Sequence, residues 1–361
     1  MIPVRLREVA VAVVRSGWEN GPDLKSPTKL PEPRDLAALE SLRLMPLWIR
    51  ARARDEIPLP PFSGSTLRGA LGHALLDSVC VVSHRECAAC RLVDVCSYPY
   101  LFETSPGEGA RRLKKQPFVP HPYVLVPPPG GRSYARGEPF EFGLTLIGRA
   151  TELLPTVVSA LLRMGERGLT RGRACFDIES IDQVAPGNSR QLVAGDPPGL
   201  LRGAADLRVC LADYLQLAPL GVVDIRFESP VRLLRDGRLL EDVPFDALIR
   251  ALLRRATSLM EFHEGVDLEL DFRGLIREAE TVRLLESDLS RTDRLRFSVR
   301  QGRAMNLTGL CGRVRYQGRL EPFRSLLALG AAVGVGKGTT FGLGRLRLGA
   351  TSGLPNRESG Y

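Results

Sequence analysis

Lysine is scarce in this sequence. Only five of the 50 basic residues are lysines (Lys25, Lys29, Lys114, Lys115 and Lys337), and the other 45 are arginines. Aromatic residues make up 6% of the chain, and histidine occurs four times. No run reaches the roughly 18 apolar residues that a membrane span needs, which excludes a spanning helix. The opening Met1-Ile2-Pro3-Val4-Arg5 leads into no long apolar segment with a small-residue cleavage site, so a soluble, cytoplasmic protein is expected. A disulfide framework is also unsupported. The seven cysteines are an odd number, four of them lie between residues 80 and 96, and the chain is long and has no secretion signal.

What is present is globular in composition, with 44% apolar and 25% charged residues. At about 100–200 residues per domain, 361 residues suggest two domains. The net charge is +9 and the pI about 9.5. A guanidinium fork suits phosphates and base edges, so the balance leans towards a nucleic-acid partner, although arginine could equally serve as a general-purpose cation here. The 36 glycines and 27 prolines imply many turns and strand ends rather than long helices.

Residues 1–37 read as an N-terminal extension with one short apolar stretch, Val9 to Val14. Residues 42–54 alternate apolar and basic positions, as a half-buried strand does. A helix is expected from Ser65 or Thr66 as N-cap, with Leu67, Ala70, Leu71, Ala74 and Leu75 on one stripe and His73 on the polar face. A loop-rich stretch is expected up to residue 137. A strand (138–148) and a helix (153–167) come next, and the turn-rich segment 186–203 is the linker candidate. The pattern then restarts: a strand at 222–235, a helix at 245–262, strands near 294–301 and 307–318, a helix at 321–329 and a last strand at 343–348. Strands and helices mixed at this spacing indicate a pair of α+β domains, 38–204 and 205–350, followed by a tail, 351–361.

The most informative stretch is the run from Gly330 to Gly344, GAAVGVGKGTTFGLG. A Walker A loop needs glycine five residues before its Gly-Lys pair and Ser or Thr just after it, where this chain has Ala331 and Gly338. A dinucleotide fingerprint from Gly334 fails at its sixth position, Thr339. What remains is a loop that lets another backbone approach closely and offers amides and Lys337 to anions, or a set of tight turns packed on a helix.

This run, together with Leu307-Thr308-Gly309-Leu310-Cys311-Gly312 and Phe323 to Gly330, resembles the C-terminal domain of CRISPR repeat-processing endoribonucleases of the RAMP superfamily. Leu59 to Ala70 resembles the entry to the first helix of such proteins, and residues 245–265 fit the family's basic helix ending in a turn. The resemblance implies two tandem ferredoxin-like domains, with the glycine-rich loop of the second facing the RNA. With so few aromatics, basic contacts to the RNA backbone are expected rather than a stacking platform.

The resemblance also implies metal-independent cleavage, with no cofactor needed for catalysis. The 2′-hydroxyl beside the scissile phosphate attacks, leaving a 2′,3′-cyclic phosphate and a 5′-hydroxyl. Such a step needs a base, an acid and a cation for the developing charge. His73 is the first candidate, because many relatives place their histidine on or near the first helix. His263 is the second, and Lys337 is the cation. Gly334, Gly336, Lys337 and Gly338 are expected to meet the RNA, and Arg68, Arg345 and Arg347 to grip phosphates. Many relatives carry histidine where this chain has Gly334. That difference favours the alternative, a non-catalytic RAMP subunit that holds crRNA within a CRISPR effector complex.

Cys80, Cys87, Cys90 and Cys96 form a CxxC core with two flanking thiols. A structural Zn(II) bound by four thiolates is the simplest occupant, an iron–sulfur cluster is the rival, and an empty thiol cluster is the third option. Four protein ligands would leave no open position for catalysis.

Overall fold

The computed structural model describes residues 36–82, 86–104, 119–194, 199–200, 209–217, 221–235, 237–292, 295–298 and 303–349. The 1–37 extension up to residue 35, its Val9 to Val14 stretch, His84 and the 351–361 tail lie outside the described residues. The chain divides into two compact units. One contains Arg43–Val209 and Phe262–Gly265; the other contains Cys210–Glu261 and the chain from Val266 onward.

The first unit is built from β1 (Arg43–Ala53), α1 (Gly64–Val79), a short helix α2 (Ser97–Phe102), β2 (Tyr123–Val126), β3 (Pro139–Ile147), α3 (Leu154–Arg167), β4 (Phe176–Ala185) and β5 (Asn188–Ala194). The strands form an antiparallel sheet in the order β2-β3-β1-β4-β5, with Gly199–Leu200 paired outside β5. Leaving α2 aside, β1-α1-β2-β3-α3-β4 is the βαββαβ ferredoxin-like arrangement. Alternation dictates which face is buried: Ile49, Ala51 and Ala53 of β1 point inward, and Arg50 and Arg52 point to solvent. Leu67, Leu71, Ala74 and Leu75 of α1 join Leu161 and Met164 of α3 over Phe142, Leu144 and Phe176. Each such large apolar side chain stabilises the fold by about 1.5–3 kcal/mol on full burial.

Two expectations are corrected here. Helix α1 begins at Gly64, with Ser63 rather than Ser65 or Thr66 at the N-cap position; the Ser63 hydroxyl donates to the Pro128 carbonyl instead of capping the helix. The supposed linker at 186–203 begins as a hairpin. Pro186-Gly187 turns between β4 and β5, with Gly187 at φ +75, and β5 belongs to the sheet. Turn residues mark a change of direction equally well within a domain and between domains.

The second unit repeats the arrangement with β6 (Val222–Val231), α4 (Phe245–Leu259), α5 (Phe272–Glu280), β7 (Arg283–Thr292), β8 (Gly309–Gln317), α6 (Arg324–Val333) and β9 (Leu346–Leu348). Its sheet runs β7-β8-β6-β9, all antiparallel. Val223, Ile225 and Phe227 of β6 and Val314 and Tyr316 of β8 are buried, as are Leu248, Leu252, Leu326 and Leu327 of the helices. Strand β7 was not expected from the sequence. RLLESDLSRT has few β-branched residues, and as an edge strand it leaves most of its side chains in solvent.

Beside α1 a chain of half-buried polar groups runs through the first unit. Arg68 donates from Nη2 to His121 Nε2 (3.4 Å), and its guanidinium lies 5.2 Å from the Phe102 ring centroid. Because arginine can only donate, the His121 proton resides on Nδ1 and goes to Thr104 Oγ1 (3.2 Å); that hydroxyl donates to the Tyr100 carbonyl (2.6 Å). Burial, and then the Arg68 charge, push the His121 imidazole down to about 4.

Two stability measurements follow from this geometry. The folded pKa of His121 lies below the unfolded value of 6.5, so its contribution is intact above pH 6.5 and is lost as pH falls towards 4. Urea titrations at pH 7 and 4.5 are expected to differ by up to about 3 kcal/mol, and a His121→Asn variant to lose most of that difference. Gly69 lies in α1, exposed, with open space where a Cβ would stand. Gly69→Ala is therefore expected to raise the denaturant midpoint, stabilising by about 0.5–1 kcal/mol.

Candidate nucleic-acid interface

In the first unit His73 is exposed on α1 while its neighbours Gly72, Ala74 and Leu75 are buried. A helical side chain lies over the turn N-terminal to its own Cα, and the residue four positions earlier is Gly69. Gly69 itself has no side chain to cover the imidazole. Arg68, expected to grip phosphate, points the other way. It is half-buried and bonded to His121, and its Nε is buried.

His263, the second expected proton-transfer residue, is fully buried. It lies in a π-helical turn, Met260–Glu264, that follows α4. Its Nε2 donates to the Pro120 carbonyl (2.7 Å), and its Nδ1 accepts from the Tyr100 hydroxyl (3.2 Å). With both ring nitrogens engaged inside the fold, it is a packing residue. The next residue, Glu264, is also buried and accepts from Arg43 Nε, Arg43 Nη2 and the Arg43 amide. Arg43 Nη1 reaches Glu152 (2.6 Å).

The four clustered thiols span the connection between α1 and α2. Cys80 follows the last turn of α1, and Cys96 precedes α2. All four are half-buried and free of disulfides. Burial, then Glu103 and the thiols of Cys96, Cys80 and Cys90, push the Cys87 thiol up to about 11. The thiols thus sense one another. Among the described residues, however, no group of three or more His, Cys, Asp or Glu side chains is arranged to hold a metal ion. The expected zinc or iron–sulfur centre has no such convergent ligand set here.

In the second unit the glycine-rich run is a loop closed on itself. Helix α6 stops at Gly334 (φ +72), whose amide donates to Gly330 O (2.8 Å). Val335 N donates to Gly344 O (2.9 Å), Gly344 N to Pro230 O (3.0 Å), and Lys337 N to Arg232 O (3.4 Å). The glycines permit these close approaches. A Cβ on Gly344 would strike the Val335 carbonyl, and one on Gly336 would stand 2.8 Å from the Arg232 carbonyl. Among the described residues the amides of Gly336 and Gly338 donate to no backbone carbonyl, and Lys337 between them is exposed. The loop can therefore offer amide donors and an ammonium to an anion.

Arg345 and Arg347, both expected to bind phosphate, converge on one carboxylate. Arg345 Nη2 lies 2.6 Å from Glu228 Oε2 and Arg347 Nη2 2.8 Å from Glu228 Oε1. One residue at the base of the loop was missed in the sequence. Arg255 of α4 donates from Nη2 to the Val333 carbonyl (3.0 Å), just where α6 gives way to the loop, and burial pushes its guanidinium down to about 10. The signal was available, since Arg255 falls seven residues after Leu248, in line with the apolar stripe of the helix.

Comparison with known proteins places these features. The model of the CRISPR-associated endoribonuclease Cas6 family matches residues 225–346, and a second family model, AF_1859_N, described as an N-terminal domain, matches residues 42–203. An uncharacterized protein of Archaeoglobus fulgidus is 28% identical over 309 residues, covering 83% of this chain and 96% of that protein. Among solved structures, a Cas6 product complex aligns with a TM-score of 0.53 at 15% identity, over 85% of this chain and 99% of that one. A chain of a partial Cas6-RT-Cas1–Cas2 complex aligns with the same TM-score at 14% identity, over 87% of this chain and 47% of that one. These neighbours share the tandem ferredoxin-like fold. The Cas6 match spans the second unit from β6 to the glycine-rich loop and β9, so this part of the chain is similar to the CRISPR-associated endoribonuclease Cas6 family.

Proposed function

We propose that this chain is an endoribonuclease that cuts CRISPR repeat RNA without a metal ion, through attack of the 2′-hydroxyl on the adjacent phosphate. The O2′–P bond forms as the P–O5′ bond breaks, leaving a 2′,3′-cyclic phosphate on one product and a 5′-hydroxyl on the other. His73 carries the reading. Of the three histidines among the described residues it is the exposed one, whereas His121 and His263 have both ring nitrogens bonded inside the fold. Imidazole exchanges protons near neutral pH, as a base for the 2′-hydroxyl or an acid for the departing 5′-oxygen. Lys337 supplies positive charge for the phosphorane, and the amides around Gly336 and Gly338 supply neutral donors. The bound crRNA then serves as the link to other CRISPR effector subunits.

A second reading, a crRNA-holding subunit that does not cut, is favoured by Gly334. Its φ of +72 and a Cβ position 2.9 Å from the Gly344 carbonyl leave no unstrained place there for the histidine that many relatives carry. The thiol segment enters neither reading of the reaction. For Zn(II) to bind, Cys80, Cys87, Cys90 and Cys96 would have to converge further than they do.

Incubating the protein with its repeat RNA in EDTA is expected to give products ending in 2′,3′-cyclic phosphate and 5′-hydroxyl. His73→Ala is expected to slow single-turnover cleavage by about 10²–10⁴. Binding without cleavage by the unmodified chain would overturn the enzyme reading in favour of the second. Lys337→Ala is expected to lower the rate by about 10², with Lys337→Arg restoring part of it. Equal rates for all three would remove Lys337 from the reaction.

A further inference from the structure

Three arginines stand in one row across the open face of the second unit's sheet. The strand registers set Arg313 of β8 opposite Arg226 of β6, and Arg226 opposite Arg347 of β9. Neighbouring strands lie about 4.8 Å apart, so the three side chains leave a band about 10 Å wide. Like charges directly opposite one another destabilise a sheet. The flanking pair is compensated from neighbouring positions: Arg313 Nη2 lies 2.8 Å from Asp224 Oδ1, and Arg347 Nη2 lies 2.8 Å from Glu228 Oε1. Arg226, between them, is exposed and has no ion-pair partner among the described residues.

The sheet of the first unit treats its arginines differently. Arg50 of β1 sits between Glu141 (3.2 Å) and Asp182 (3.0 Å), and Arg52 meets Glu179 at 2.5 Å. Both arginines of β1's open face therefore have an acid within reach. The same fold thus shows that an arginine-bearing open face can be built in local balance, and β6 departs from that solution at its centre. A local choice that opposes stability marks a site whose compensation comes from a partner.

The chemistry of the face specifies the partner. Phe227 and Tyr316, the aromatic residues of β6 and β8, are both buried on the opposite face, so no ring is available for base stacking. Guanidinium forks match phosphate oxygens, and backbone contacts need no particular base. We propose that Arg313, Arg226 and Arg347 form a phosphate-binding track for the repeat RNA backbone, centred on Arg226 and separate from the glycine-rich loop. Asp224 and Glu228 hold the flanking guanidiniums in place, and an RNA phosphate supplies the anion that Arg226 lacks. This inference rests on the reading of the chain as a binder of repeat RNA.

The test is the affinity of full-length protein for labelled repeat RNA, in a His73→Ala background that keeps the RNA intact, across a range of salt concentrations. Arg226→Ala is expected to weaken binding by about 3–10-fold near physiological salt and to make the plot of log K against log salt shallower by about 0.7–0.9. Its thermal midpoint is expected to stay level or rise, because a like-charge neighbour is removed. Arg52→Ala, on the balanced face of the first unit, is the control and is expected to leave affinity and slope unchanged. If Arg226→Ala matches its parent in both affinity and slope, or if Arg52→Ala weakens binding as much, the track is overturned while the RNA-binding reading stands. If the parent protein binds no repeat RNA, that underlying reading falls as well.

Discussion

The interaction on which both halves of this molecule depend is the burial of one face of a four-stranded core sheet beneath two helices. In a strand the side chains alternate, so once Ile225 and Phe227 are committed to the interior, Asp224, Arg226 and Glu228 have no choice but solvent. The helices obey the same constraint at a different period: with Leu71, Ala74 and Leu75 inward, His73 stands outside. Candidate functional groups are therefore found on the open sheet face, on the outer side of a helix, or in a loop. These are the three places that hydrophobic packing leaves unclaimed.

The constraint also separates groups that look alike in sequence. The three described histidines could each carry a proton, yet only His73 faces solvent. His121 is held neutral by burial and by Arg68, and His263 is locked between a tyrosine hydroxyl and a proline carbonyl. The arginines divide in the same way. Arg68 and Arg255 serve the interior, Arg345 and Arg347 share a carboxylate, and Arg226 stands without one.

Much of this was legible in the sequence. The alternation around residues 42–54 and the stripe through Leu67 and Leu75 located β1 and α1, and the glycine-rich run pointed to the family. What escaped was set by contacts distant in the chain. Strand β7 has weak intrinsic preference and is recruited by pairing with β8. The turn at Pro186-Gly187 reads as a boundary until β5 is seen to pair with β4. His263 looked available because the carbonyl that holds it belongs to Pro120, 143 residues away. The row of arginines exists only as a product of register, since Arg226, Arg313 and Arg347 are nowhere near one another in sequence.

The scarcity of lysine has a practical consequence once the described residues are considered. Lys25, Lys29, Lys114 and Lys115 all lie outside them, so Lys337 is the one side-chain primary amine in the described part of the molecule, and it is exposed. Guanidinium groups stay protonated and do not react with amine acylating reagents under ordinary conditions. A fluorophore or crosslinker directed at amines would therefore address, among the described residues, the glycine-rich loop alone.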